Sequence, residues 1–374
     1  CISTGAEIVL TRESPGLPYR CEQCSPDLNF NGGNRMKTKL LIAIATLLAT
    51  IALTACNNGA EPQTQGVQET QAADCDRQCL ENMMKQYLNA LVQHDPSAVP
   101  FAADVKFTEN TAHIPVGEGL WVTATEGPSD FQIYAADPVA QQVACLVMMK
   151  ETNKPVLLGA RLKLVNGKIT EAEHLAVRDE LNAGQLANLE KVRPALLEDL
   201  PPEDRTPRDQ MLAAGEAYYV ALTGEDGKLA PFAPGCERRE NGMTTAGTRE
   251  QQAAIPISNP DPDTRKMMEV MAKMPRDCEG QISTGAFTYI TDIKERRVPI
   301  ADEQKGLVVG FSMFWHKSDV KEYKVKGVPG IDTAPSFQGT FNLPAMHIYK
   351  IRQGKIHEIE AIGFQLPYGL TSGW

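Results

Sequence analysis

The sequence lacks any excess of basic residues: Lys+Arg is 37 against Asp+Glu 47, a net charge of −10 over 374 residues, and no basic block stands out. Such a chain has little with which to track a phosphate backbone, so nucleic acid is not an expected partner. Long apolar runs are missing outside one stretch near the N-terminus. With 42% hydrophobic and 22% charged residues, this excludes a multi-span membrane protein and a disordered chain for most of the length. There is no HxH, HExxH or HxxxH, no GxSxG, no phosphate-cradling glycine loop and no dinucleotide fingerprint. These absences argue against serine-triad hydrolysis and hydride transfer, and neither a metal nor a cofactor is expected. A metal site would have to be assembled by the fold from the scattered His94, His347 and His357. The length suits two domains.

The one apolar exception, residues 40–55, follows Met36-Lys37-Thr38-Lys39 and runs into Leu53-Thr54-Ala55-Cys56. That is a basic region, an apolar core and a small-residue cleavage site, too short and wrongly flanked to span a membrane. The last four residues resemble the lipobox of bacterial lipoproteins. The resemblance implies a signal peptide over 36–55, lipidation of Cys56, and a protein anchored by lipid in the bacterial cell envelope and facing the periplasm. Residues 1–35, upstream of a complete export signal, read as translated leader. Residues 56–74, rich in Asn, Gln, Gly, Thr and Glu, read as a flexible tether. The CxxC of Cys21 and Cys24 falls in the leader. In an oxidising compartment Cys75 with Cys79 and Cys236 with Cys278 are expected disulfides, while Cys145, inside the apolar run 143–149, is expected to be a buried thiol.

An internal repeat organises the rest. Residues 87–110, YLNALVQHDPSAVPFAADVKFTEN, align without a gap on residues 218–241, YYVALTGEDGKLAPFAPGCERREN, at an offset of 131 and with nine of 24 positions identical. Two later blocks recur in the same order. Ala136-Asp137 precedes the strand-like run 143–149, as Ala301-Asp302 precedes 307–314. The turn Asn166-Gly167-Lys168 is answered by Gln353-Gly354-Lys355, each between two runs of strand character. Each half therefore reads helix, strand, strand, hairpin. In the first helix Leu80, Met83, Met84, Tyr87, Leu88, Leu91 and Val92 form one continuous apolar stripe, which must pack on a sheet. Met211, Leu212, Tyr218, Tyr219 and Leu222 give a similar stripe, interrupted by Gly215. Residues 181–197 carry another helical pattern, 264–274 a short helix within an inserted loop, and 321–326 a solvated hairpin. The expected domains are a first repeat over 75–193, a proline-rich linker over 194–207 and a second repeat over 208–374.

A leading amphipathic helix, a short stretch ending in Pro-Phe-Ala, a strand with an acid near its end and a curved antiparallel sheet resemble the nuclear transport factor 2-like superfamily, which includes the SnoaL-like cyclases and the ketosteroid isomerases. FAADVKFTEN and the later PVGEG carry the likeness over residues 75–180, and more loosely over 208–374. The resemblance implies an α+β fold of two tandem cone-shaped domains, each with helices packed on a curved sheet around one pocket. It also implies pairing of the repeats within the chain as family homodimers pair. Whether the chain also forms a homodimer stays open. In steroid-isomerase-like members a strand-end acid acts as base and a helix tyrosine hydrogen-bonds the developing oxyanion. Glu109 and Tyr87 match those positions.

Strand alternation places Val105, Phe107 and Glu109 on one face, so the Glu109 carboxyl is expected to be desolvated and its pKa raised, as suits a general base. The matching face of the second repeat carries Cys236, Arg238 and Glu240, where the cation would keep Glu240 ionised. On this reading the first repeat holds the reactive site, with His113 as a second acid/base group and Trp121 as a wall for a cyclic substrate. The second repeat is then a degenerate partner, or binds a substrate acid through Arg238 and Arg239. His174 and Arg178 could reach the first pocket. Asn110 and Asn241, each following its glutamate, are either substrate contacts or strand-closing hydrogen bonders. The expected function is a cofactor-independent lyase or isomerase acting on a small cyclic or aromatic molecule; the alternative is a non-catalytic ligand-binding or assembly lipoprotein.

Overall fold

The computed structural model describes residues 74–248 and 262–374; the leader, signal peptide, Cys56 and tether expected from the sequence lie outside them. The first half comprises α1 (Arg77–Val92), β1 (Phe101–Glu109), β2 (Ala112–His113), α2 (Leu120–Thr123), β3 (Ala124–Glu126), β4 (Gln132–Asp137), β5 (Gln142–Glu151), β6 (Lys154–Val165), β7 (Lys168–Val177) and α3 (Ala183–Asn188). The second comprises α4 (Arg208–Gly224), β8 (Phe232–Glu240), β9 (Met243–Ala246), α5 (Pro262–Lys273), α6 (Cys278–Ser283), β10 (Ile290–Asp302), β11 (Leu307–Ser318), β12 (Glu322–Lys324), β13 (Thr333–Pro335), β14 (Gly339–Arg352), β15 (Lys355–Gly363) and β16 (Leu366–Pro367).

The two large sheets share one strand order. The first runs β2-β1-β7-β6-β5-β3 with β4 also on β5, and the second runs β10-β11-β14-β15-β8-β9 with β16 on β14. The fold is α+β, antiparallel except where β1 meets β7 and β8 meets β15, both parallel. Each sheet curls around one helix. Leu80, Met84, Tyr87, Leu88 and Leu91 of α1 are buried against the first, and Met211, Tyr218, Tyr219 and Leu222 of α4 against the second. Gly215 interrupts the α4 stripe because a Cβ there would come within 2.9 Å of Val308. The turns Asn166-Gly167 and Gln353-Gly354 have positive φ at both positions, as a tight hairpin between twisted strands requires.

The other faces of the sheets meet in a shared core. Ala144, Leu146 and Met148 point there, alongside Phe311, Met346 and Ile348, while Val143, Cys145, Val147 and Met149 point into the first repeat. Burial on both faces explains why this strand is an unbroken apolar run. At the rim of that core the halves exchange hydrogen bonds: the Ala301 amide donates to Asp137 at 3.0 Å and the Ala136 amide to Asp302 at 3.1 Å. Arg208 and Arg77, the first residues of their helices and 131 apart, pair with the same two aspartates. The recurrent Ala-Asp is therefore a joint between the halves.

Both expected disulfides are present, Cys75 with Cys79 and Cys236 with Cys278, and Cys145 is a buried thiol. Two expectations need correction. The helical pattern over 181–197 yields only the six residues of α3, beyond which Leu189, Val192 and Leu196 turn into the shared core and Pro194 opens a separate short turn. The stretch 321–326 is a hairpin arm, but Tyr323 and Val325 are buried in a small core with Met274, Ile331 and Ala334, so only one face is solvated. Among the described residues no helix is long and apolar enough to cross a membrane.

Candidate functional site

The first repeat brings Tyr87, Glu109, Trp121, His174 and Arg178 together but leaves no room among them. The Tyr87 hydroxyl lies 2.8 Å from His174 Nε2, and His174 Nδ1 lies 3.4 Å from Glu109 Oε2. The Leu120 amide donates to Glu109 Oε2 at 2.8 Å, and Arg178 Nη2 donates to Oε1 at 2.6 Å. Trp121, 1% exposed, packs edge-on against Tyr87 at 5.3 Å and fills the interior. A Cβ on Gly119 would come within 2.7 Å of the Glu109 carboxylate.

This overturns the expected tuning of Glu109. Burial does push its carboxyl up, but His174, the Leu120 amide and Arg178 outweigh that and hold it at about 2. It is an ionised, paired anion and not a base waiting for a proton. Trp121 is a core residue rather than a wall open to ligand. His113 takes no part: it pairs across the hairpin with Thr108, whose side chain lies on the opposite face from Glu109, and it is exposed. Asn110 brackets β7, donating to the Ala176 carbonyl and accepting from the Ala176 amide. Asn241 does the same with Gly363. Both asparagines sit at positive φ, so they close their strands by hydrogen bonding.

The second repeat is built from the same positions with a different outcome. A cavity of about 240 Å³ opens between α4, β8, β11, β14 and β15, with Tyr218, Glu240, Tyr289, Phe314, His316 and His347 among its lining residues. Tyr218 and Glu240 are the counterparts of Tyr87 and Glu109 at the offset of 131. The space arises from an exchange of residues between neighbouring strands. In the first repeat His174 on β7 faces Ala160 on β6, whereas in the second Ala361 on β15 faces His347 on β14. The histidine has moved one strand over, and alanine stands where the first repeat has the ring that joins tyrosine to glutamate.

Arg238 replaces Phe107 on the interior face of the strand and is 1% exposed. It donates to Thr245 Oγ1 and Gln281 Oε1, both at 2.9 Å, and its Nε lies 3.2 Å from Glu240. Burial works against its charge, but Tyr218 and Glu240 sustain it, so Arg238 remains a cation. Arg239 does not share this site; it pairs with Glu237 on the other face of the strand at 2.7 Å. Burial raises the Tyr218 phenol to about 12 and lowers His347 to about 3 and His316 to about 4, so the cavity presents a protonated phenol and uncharged imidazoles. His316 stacks on Phe341 at 4.1 Å. Such a cavity can hydrogen-bond a ligand oxygen through Tyr218 and accept a proton at Glu240, which lies at its mouth.

The cavity thus opens at the second repeat's tyrosine and glutamate, where the first repeat was expected to hold the pocket. Tyr289, His316 and His347 were not singled out for this site from the sequence. One signal was present: continuing the alignment of the two hairpins by one residue sets His174 against Ala361. His347 lies inside this cavity, whereas the Nδ1 atom of His94 contacts the Trp121 carbonyl in the first repeat and His357 lines a separate polar cleft with Lys350 and Arg352. The sequence-derived metal trio is thus dispersed. Among the described residues no group of three His, Cys, Asp or Glu is placed to hold a metal ion.

A family model described as "Domain of unknown function (DUF8021)" matches residues 204–363. Among solved structures the chain is similar to an NTF2-like protein of unknown function from Cytophaga hutchinsonii, at 12% identity and a TM-score of 0.23, over 29% of this chain and 94% of that one. It is similar to a "putative polyketide cyclase" from Xanthomonas campestris pv. campestris, at 14% identity and a TM-score of 0.24, over 41% and 90%. A "Putative SnoaL-like polyketide cyclase" from Jannaschia sp. CCS1 matches at 12% identity and a TM-score of 0.25, over 44% and 90%. No curated protein matches the chain.

Proposed function

We propose that the chain is a cofactor-independent lyase or isomerase whose working site is the cavity of the second repeat, acting on a small cyclic or aromatic organic molecule. One observation carries this reading: Tyr218 and Glu240 line an open space, whereas at the matching positions of the first repeat His174 bridges Tyr87 to Glu109. Tyr218 donates a hydrogen bond to an oxygen that gains charge during reaction, and Glu240 takes the proton. The first repeat, with Glu109 locked in ion pairs, serves as scaffold.

The test is proton abstraction itself. Solvent deuterium exchange into a panel of cyclic ketones and hydroxyaromatic compounds, followed by NMR, is expected to fall by about 100-fold or more in Glu240→Gln and to persist in Glu109→Gln. Ala361→His, which gives the second repeat the ring that fills the first, is expected to abolish both ligand binding and exchange. Equal loss in the two glutamate variants would overturn the assignment.

Ligand binding without turnover is the second reading, favoured by the contact of Arg238 with Glu240, which occupies that carboxylate. We further propose a lipid-anchored, periplasm-facing location. The lipobox at Cys56 and the two disulfides support it, and loss of lipid labelling in Cys56→Ser is the measurement that tests it.

A further inference from the structure

The counter-charge at Arg238 is thin for so deeply buried a cation. Its partners other than Glu240 are neutral: the hydroxyl of Thr245, the amide oxygen of Gln281 and the phenol of Tyr218. At Nη1 no group among the described residues meets strict hydrogen-bond geometry, but the neutral Tyr218 hydroxyl is close enough to act as a hydrogen-bond partner of the guanidinium. Glu240 makes a single-point contact at 3.2 Å from a side chain that is 41% exposed. Elsewhere in the chain the buried arginines are better matched: Arg193 meets Glu237, Glu358 and Glu360, and Arg161 meets Glu171 and Glu173. A buried guanidinium with one loosely held carboxylate favours a further anion.

The place where that anion would sit is set by Glu240, which both touches Arg238 and lines the cavity. Phe287, another lining residue, has its ring 5.1 Å from the Arg238 guanidinium. Arg238 itself is not among the lining residues, so a group entering the cavity would meet it only on displacing Glu240 toward water. We infer that the ligand of the second repeat is an organic acid, whose carboxylate takes over from Glu240 as the counter-charge of Arg238. This rests on the cavity being the ligand site.

Calorimetric titration of the full chain with 2-naphthoate and with 2-naphthamide, which share a ring system and differ in charge, tests the inference. The acid is expected to bind at least tenfold more tightly than the amide. Glu240→Gln, a change at the cavity mouth, is expected to tighten the acid several-fold, since it removes the competing carboxylate. Arg238→Met is expected to bring acid and amide to parity. Binding of the amide as tight as that of the acid, or weaker acid binding in Glu240→Gln, overturns the inference while leaving the cavity a ligand site. If neither compound binds, the ligand site falls and the inference with it.

Discussion

Replacing Glu109 by glutamine asks whether the first repeat's carboxylate serves structure instead of chemistry. Its carboxyl sits at about 2, against an ordinary value of 4.5. Burial alone would raise it, and the opposing pull of His174, the Leu120 amide and Arg178 is what sets the outcome. A difference of that size between folded and unfolded chains corresponds to about 3 kcal/mol of stability. Because the folded-state value is the lower one, the contribution is complete above pH 4.5 and is lost as the pH falls toward 2. At pH 3 about 1 kcal/mol remains. Urea unfolding of the wild type and Glu109→Gln at pH 7 and pH 3 measures it. The glutamine variant is expected to be the less stable at pH 7, and the gap between the two should narrow by about 2 kcal/mol at pH 3. A gap that does not change with pH would refute the account of Glu109 as an ionised structural partner, as would a glutamine variant more stable than the wild type at pH 7.

Loss of the Cys236–Cys278 disulfide, which closes 42 residues, is expected to cost about 4 kcal/mol, whereas loss of Cys75–Cys79, which closes four, costs about 2 kcal/mol. Denaturant melts of Cys278→Ser and Cys79→Ser check the order, and a larger loss in Cys79→Ser would contradict it. Because Cys236 lies two residues before Arg238 and Cys278 three before Gln281, the larger bridge also runs beside the Arg238–Gln281 hydrogen bond, so Cys278→Ser is expected to weaken ligand binding as well. The Cys145 thiol, buried and pushed up to about 12, is expected to resist a thiol reagent in the native state and to react only as the chain unfolds. Rapid labelling of native protein would show that β5 is less well covered than its burial indicates.

Much of the architecture could be read along the chain. The α1 stripe, the Gly-Lys hairpins, both disulfides and the duplication each leave a local or periodic mark, because each depends on residues at fixed spacing. The site was harder. Glu109, Tyr87, His174 and Arg178 do meet, yet alternation could not tell that Arg178 would reach back to Glu109 from beyond the end of β7. Arg238 and Arg239 were expected to act together, but Arg239 pairs with Glu237 on the other face of the strand, and nothing in the alternation told which of the two repeats would be hollow.

What the sequence by itself determined is the order helix, strand, strand, hairpin in each half and the inward faces of β1 and β8, since side chains alternate along a strand and recur every three or four residues along a helix. Only the tertiary structure decided where space remains. In the first repeat Trp121 and His174 fill the interior, while in the second Ala361 stands opposite His347 and leaves the cavity open. Cavity volume depends on side chains contributed by several strands and a helix far apart in the chain, and no local pattern carries that sum.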